Sequence, residues 1–89
     1  MIIRFSGPLL RFMNYQKEHE VTDATTVEAA IHRLTSTYPN LKPVLYDTQG
    51  KVRAAHRLFL NGAQLRSSGI DMQVDSNACL EIVTAIAGG

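Results

Sequence analysis

The sequence is short of the residues on which several classes of protein depend. Its single cysteine, Cys79, excludes an internal disulfide and a multi-thiolate metal site, so packing and hydrogen bonds must hold the fold. Nine Lys and Arg against eight Asp and Glu give no concentrated positive charge for nucleic acid. The apolar runs are too short for a membrane span, and a charge at Arg4 does not fit a signal peptide. We therefore expect a cytoplasmic protein that binds neither nucleic acid nor membrane.

The chain is also small for an enzyme. Its 89 residues, 45% of them hydrophobic, fit one domain with a real core. A catalytic cleft with its supporting residues would use positions that such a domain needs for folding. The scattered histidines and acids form no metal-ligand or catalytic set, and Cys79 is predicted to pack within a strand. The composition therefore indicates a protein on which other enzymes act.

One helix is clearly marked in the sequence. Thr25 and Glu28 have the spacing of a capping box, and Pro39 cannot continue a helix, so a helix is predicted over 26–38. The apolar residues within it recur every three or four positions and line one face: Val27, Ala30, Ile31, Leu34 and Tyr38. A shorter helical turn is predicted at 41–46.

Five short β-prone runs surround this helix, and they predict strands at 2–5, 17–21, 57–60, 63–66 and 78–85. Asn61-Gly62 is a type I′ turn sequence, so the third and fourth strands should form a hairpin. Alternation would place Leu58, Leu60, Leu80 and Ile82 under the helix. The pattern is an α+β fold, a mixed sheet of about four to five strands covered by one main helix. It resembles the β-grasp architecture of ubiquitin-like proteins.

The end of the sequence tapers to small side chains. After Glu81 no charged residue follows, and the last two residues are Gly88 and Gly89. Without Cβ atoms these glycines would enter a narrow channel easily, and residues 85–89 would extend about 17 Å. A frayed chain end is the alternative interpretation. We divide the chain into a domain at 1–84 and a flexible tail at 85–89.

Four segments together carry a resemblance to a known family: the helix start at 25–30, Tyr38-Pro39, Leu60-Asn61-Gly62 and the tail at 85–89. The chain resembles the ThiS and MoaD sulfur carriers over nearly its whole length. It departs from many of them at Thr84, where they have proline, so a stiff exit from the last strand cannot be assumed.

The resemblance implies a sequence of reactions at the C-terminus. Gly89 would be adenylated by an E1-like enzyme, converted to a thiocarboxylate by a sulfurtransferase or other sulfur donor, and used by a sulfur-accepting biosynthetic enzyme. Residues inserted into the partner would be Ala85, Ile86, Ala87 and Gly88. The chain itself would bind no cofactor, because ATP and the sulfur donor would be used by the partner enzymes.

Two surface features are candidates for partner recognition. Phe59 and Val83 should lie on the sheet face opposite the helix, near Arg57, where they would form a docking patch or else a small cluster under a loop. Between positions 48 and 70 there are four basic residues and no acid: Lys51, Arg53, Arg57 and Arg66. These cations would either steer an acidic partner or remain ordinary solvated charges.

Three functions share this C-terminus. The first is a free sulfur carrier for cysteine, thiamine, molybdenum cofactor or another metabolite. The second is the small subunit of a complex like molybdopterin synthase. The third is a ubiquitin-like modifier joined to other proteins through Gly89.

Overall fold

A mixed sheet forms the body of the protein. The structure is a computed structural model and describes residues 1–53, 55–66 and 69–84. Within these residues the strands are β1 (Ile2–Phe5), β2 (Glu18–Glu20), β3 (His56–Leu60), β4 (Ala63–Leu65) and β5 (Cys79–Thr84). They lie in the order β2-β1-β5-β3-β4, with β1 and β5 parallel and the other pairs antiparallel. The strand predictions are confirmed to within about two residues at each end.

The strand register separates a core face from an open face. Leu58 lies opposite Ile82 and Leu60 opposite Leu80, so all four point to the same side of the sheet. Leu80 and Ile82 are fully buried, Leu58 is nearly so, and Leu60 is half-buried against the core. This confirms the predicted core face of β3 and β5.

The main helix, α1, runs over Val27–Thr37 and buries the face predicted from its spacing. Its cap differs from the prediction. The Oγ1 of Thr26 accepts a hydrogen bond from the Ala29 amide at 3.0 Å, so Thr26 is the N-cap and the capping box from Thr25 to Glu28 was wrong. The reason is tertiary: the Glu28 amide donates to the Ile70 carbonyl at 2.8 Å and therefore does not need a threonine hydroxyl.

The cap assignment gives a test with a matched control. Thr26→Ala should lower the free energy of unfolding by about 0.5–2 kcal/mol, because it leaves the Ala29 amide without its side-chain partner. Thr25→Ala removes an exposed hydroxyl and should change it by no more than about 0.5 kcal/mol. Urea unfolding followed by circular dichroism measures both. Equal losses, or a larger loss at Thr25, would contradict the assignment.

Two short helical segments complete the core. A 3-10 helix at Gly7–Met13, which was not predicted from the sequence, buries Leu9 and Met13. A 3-10 turn at Pro39–Leu41 leads into α2, Lys42–Leu45, and confirms the helical connector. No helix in the described ranges is long and apolar enough to cross a membrane.

The Asn61-Gly62 turn does more than join β3 to β4. Both residues have positive φ, 51° and 88°, as the type I′ prediction requires. The Asn61 side-chain oxygen also accepts a hydrogen bond from the Cys79 amide at 2.9 Å. The hairpin turn is thereby fastened to the start of β5, where Cys79 is half-buried within the strand.

Candidate docking surface and tail exit

The predicted tail begins at the end of the strand that lies in the middle of the sheet. Thr84 is the last residue of β5, which has β1 on one side and β3 on the other. The predicted sulfur-carrying and inserting residues all lie outside the described residues: Ala85, Ile86, Ala87, Gly88 and Gly89. Their roles stay predictions.

A buried histidine holds the end of β5. Nδ1 of His56 lies 3.0 Å from the Thr84 hydroxyl, and Nε2 lies 2.8 Å from the Val44 carbonyl oxygen. A carbonyl only accepts, so Nε2 carries a hydrogen and donates to Val44, and Nδ1 shares a hydrogen bond with the Thr84 hydroxyl. Thr84 is therefore tied through His56 to α2. No role was predicted for His56. Its position two residues before Leu58 in the same strand could have indicated that it faces the core.

The three predicted docking residues lie on the open face of the sheet. Arg57 is directly opposite Val83, and Phe59 is directly opposite Glu81. Phe59 and Val83 are half-buried, and Arg57 is exposed. The structure therefore brings the three together on the open face of β3 and β5, and their role in docking stays a prediction.

Charged groups continue the open face beyond this apolar pair. Arg4 of β1 is in register with Glu81, and its Nε lies 3.0 Å from the Glu18 carboxylate. Both members of that ion pair are more than half exposed, so it adds little stability. Glu81 was missed as a neighbour of Phe59 because the register of β3 and β5 is set by the fold.

A cavity of about 620 Å³ lies next to this patch, and Arg57 is one of the residues that line it. The four basic residues of the acid-free segment all line it: Lys51, Arg53, Arg57 and Arg66. Glu28, at the start of α1, is the one carboxylate among the described lining residues. The segment forms a concave surface because three distant parts of the chain meet there.

The loop before β3 is ordered by an aspartate. Oδ1 of Asp47 accepts hydrogen bonds from the amides of Gln49 and Lys51, at 2.8 and 3.0 Å. The bond from Lys51 is the largest of the effects that hold the pKa of the Asp47 carboxyl below its ordinary value, and the charges of Arg53 and Lys51 also contribute. Asp47 therefore stays ionised at neutral pH and fixes the backbone that carries Lys51.

Tyr46 gives a test of the electrostatics near α1. Burial, and to a smaller extent the charge of Glu28, together raise the pKa of its phenol from 10.0 to about 12. Because the folded-state pKa lies above the unfolded value, the stabilisation from the neutral phenol is complete below pH 10 and falls as the pH rises toward 12. The difference in tyrosinate absorbance between the wild type and Tyr46→Phe should have its midpoint near pH 12.

The Glu28→Gln variant serves as the matched control for that titration, since it removes the charge and keeps the shape. It should move the Tyr46 midpoint to lower pH. Circular dichroism at the same pH values shows whether the chain is still folded. A midpoint at or below pH 10 in the folded wild type would contradict the burial of this phenol.

No group of three or more His, Cys, Asp and Glu side chains within the described ranges is placed to hold a metal ion. His19 instead packs edge-on against Tyr38, with ring centroids 5.4 Å apart. His32 stacks on Tyr46 at 5.8 Å. These two histidines therefore have structural ring contacts.

Comparison with known proteins identifies the family. A family model described as the ThiS family matches residues 3–89. The chain belongs to the ThiS family. The match includes the final Gly88-Gly89, so this ThiS-family chain is related to its family through the tail as well as through the sheet. The comparison with curated proteins finds no match.

Solved structures agree with this ThiS-family membership at the level of the fold. A chain of the Amycolatopsis orientalis BexX/CysO complex has a TM-score of 0.84 and 22% identity, covering 99% of this chain and 98% of its own. SAMP1 from Haloferax volcanii has a TM-score of 0.83 and 17% identity, covering 100% of this chain and 98% of its own. CysO from Mycobacterium tuberculosis has a TM-score of 0.81 and 20% identity, covering 96% of this chain and 98% of its own. The β-grasp, ubiquitin-like prediction is confirmed.

Proposed function

We propose that this protein is a sulfur carrier whose C-terminal carboxylate, on Gly89, is converted to a thiocarboxylate. A carboxylate is a poor electrophile, so an E1-like enzyme first transfers AMP from ATP to it and releases pyrophosphate. Hydrosulfide from a sulfur donor then attacks the acyl carbon, forms the carbon–sulfur bond and displaces AMP. The sulfur passes next to an acceptor enzyme in the biosynthesis of a cofactor, cysteine or a related metabolite.

The observation that carries this proposal is the family match over residues 3–89, because it includes both final glycines. The position of Thr84 supports it. Since β5 lies between β1 and β3, the tail starts from a strand that is hydrogen-bonded on both sides. A firmly held starting point favours presentation of the tail to a partner.

The partner's docking site, in this proposal, is the open-face patch of Phe59, Val83 and Arg57. Half-buried apolar side chains on a sheet face, beside a cation, offer both apolar contact and orientation. One of the similar structures is a complex of two proteins, BexX and CysO. By analogy we propose that an activating enzyme, and later the acceptor, contact this face while the tail enters their active sites.

A protein modifier is the second candidate, and it has specific support. Two similar structures are small archaeal modifier proteins, from Haloferax volcanii and Methanosarcina acetivorans. A modifier would share the adenylation step, after which a lysine amine of a target, not hydrosulfide, would displace AMP. A stable small subunit, as in molybdopterin synthase, would be seen as a stoichiometric complex on purification from the native cells.

Exchange of labelled pyrophosphate into ATP tests the adenylation step. An E1-like enzyme encoded near this protein should catalyse exchange only when the carrier is added. Addition of sulfide should then release AMP and leave one thiocarboxylate per chain, whereas addition of lysine-containing target proteins should leave the carrier unattached. Conjugates on target lysines with no thiocarboxylate would favour the modifier. No carrier-dependent exchange with any such enzyme would contradict both.

A further inference from the structure

We propose that the 620 Å³ cavity beside the tail exit binds an acidic segment of the activating enzyme, with one apolar side chain of that segment inserted. This inference rests on the proposed function, because it names a second contact made by the enzyme that receives the tail. The cavity lies at the start of β3, shares Arg57 with the open-face patch, and is called the basic cavity below.

The charge of the basic cavity is opposite to that of the rest of the chain. Four of the nine Lys and Arg residues line it, together with one of the eight Asp and Glu residues. The remainder of the chain therefore has five cations against seven carboxylates. Asp47 lies close to Lys51 and Arg53 without lining the cavity, and it offsets only part of their charge. An acidic segment would therefore be attracted here more strongly than to the rest of the chain, whose net charge is negative.

Two of the four cations, Lys51 and Arg53, lie on a loop whose backbone is held by hydrogen bonds. Arg53 donates from Nε to the Pro43 carbonyl at 3.2 Å, and its amide donates to the Leu45 carbonyl at 2.7 Å. The Lys51 amide is fixed by Asp47. Side chains and backbone that are already ordered lose less conformational entropy when a partner binds.

The interior of the basic cavity is apolar. Its lining includes Val52, Leu65 and Ile70, which are half-buried against the core, and the nearly buried Leu58. A free inorganic anion would gain no apolar contact from this surface. A peptide with carboxylates on either side of a Leu or Phe would place its charges near the cations and its apolar side chain inside.

The position of the basic cavity links it to the tail. His56 lines the cavity and is also hydrogen-bonded to Thr84, the residue before the predicted tail. Arg57, another lining residue, is opposite Val83. An enzyme whose active site receives the tail must approach this end of the sheet, so its surface reaches the cavity.

Binding of a defined peptide tests the site directly. The probe is an acetylated, amidated peptide with one Phe between two Asp and two Glu residues, titrated into the ¹⁵N-labelled full chain and followed by NMR. We expect the amide signals of Val52, Leu58 and Ile70 to shift, and the affinity to fall as salt is raised from about 0.05 to 0.5 M. The same peptide with Lys for the acids, or Ala for Phe, should bind more weakly.

A charge-reversal pair supplies the matched control. Arg66→Glu changes a cation of the basic cavity, and Arg11→Glu makes the same change on the 3-10 helix, outside the cavity lining. We expect Arg66→Glu to weaken peptide binding roughly tenfold and Arg11→Glu to leave it unchanged. Thermal unfolding verifies that both variants fold, and Lys51→Glu replaces Arg66→Glu if that variant does not. Equal effects, shifts elsewhere on the chain, or equally tight binding of inorganic phosphate would overturn the proposal.

Activation kinetics separate this inference from the proposed function. With the activating enzyme, Arg66→Glu should raise the KM for the carrier roughly tenfold and leave kcat unchanged, because the cavity binds the enzyme but takes no part in adenylation. A wild-type KM in this variant would overturn the inference and leave the carrier function intact. Peptide binding by a wild-type chain that no E1-like enzyme activates would instead contradict the carrier function and the assignment of this partner.

Discussion

Deletion of Gly89 is expected to reduce thiocarboxylate formation to background while leaving the fold intact. The variant still ends in a carboxylate, on Gly88, but its chain is shorter by about 3.3–3.6 Å. A displacement of about 1 Å from the reactive geometry can lower a rate by a factor of about 100, so the carboxylate should no longer be adenylated. Carrier-dependent pyrophosphate exchange and the mass of the product measure the loss.

Stability should not change on this deletion, because every fully buried hydrophobic residue among those the structure describes lies at or before Ile82. The midpoint of thermal unfolding is the control for folding. Addition of one alanine after Gly89 is the matched variant: it keeps both glycines, displaces the carboxylate in the other direction and should also stop adenylation. If the shortened chain is activated as well as the wild type, Gly89 is not the group that is activated.

Alanine substitutions at two adjacent residues of β5 should differ in how much they lower the free energy of unfolding. Ile82 is fully buried in the middle of the sheet, opposite Leu58 and beside Phe5, so Ile82→Ala should cost about 2–5 kcal/mol. For a domain of this size each kcal/mol lowers the unfolding midpoint by about 4–8 °C, so a fall of at least about 8 °C is expected. Val83 is half-buried on the open face, and Val83→Ala should cost about 1 kcal/mol or less.

Partner binding should show the reverse order for the same two variants. At a temperature where both are folded, Val83→Ala should raise the KM for the carrier in activation, because Val83 belongs to the proposed docking patch. Ile82→Ala should leave the KM unchanged. A wild-type KM for Val83→Ala would contradict the docking patch, and a small loss of stability for Ile82→Ala would contradict the register of β5.

Much of the fold follows from local chemistry in the sequence. The Asn61-Gly62 turn defines the hairpin because its two positive φ angles are unfavourable for most other residues. Alternation along β3 and β5 identifies their core faces, and the 3.6-residue spacing identifies the buried face of α1. These signals are local, so tertiary contacts changed little of what they predicted.

The errors arose where distant segments compete for the same groups. Thr25 and Thr26 are both residues that favour the N-cap position. Which of them caps α1 depends on the Ile70 carbonyl, 42 positions after Glu28 in the chain, because it accepts the hydrogen bond of the Glu28 amide. The 3-10 helix at Gly7–Met13 begins with Gly-Pro, which reads as a turn, and it forms because Leu9 and Met13 pack into the core. Local propensity carries no information on either contact.

Parts of the candidate site could be predicted from local sequence, and other parts depend on contacts between distant segments. The basic composition of the segment 48–70 was visible in the sequence, as was the placement of Phe59 and Val83 on the face away from the helix. The basic cavity was not, since Glu28, Leu58 and Ile70 come together only when α1, β3 and the loop after β4 meet. The link from Thr84 through His56 to Val44 likewise joins three segments that are separate in sequence.

The intact mass of the reacted protein tests the central claim most directly. The full chain is incubated with an E1-like activating enzyme, ATP and sulfide, and its mass is compared with that of a sample lacking ATP. The carrier function predicts an ATP-dependent gain equal to the difference between one sulfur and one oxygen atom, located by fragmentation on Gly89. An unchanged mass, under conditions in which the same enzyme exchanges pyrophosphate in the presence of this chain, would contradict it.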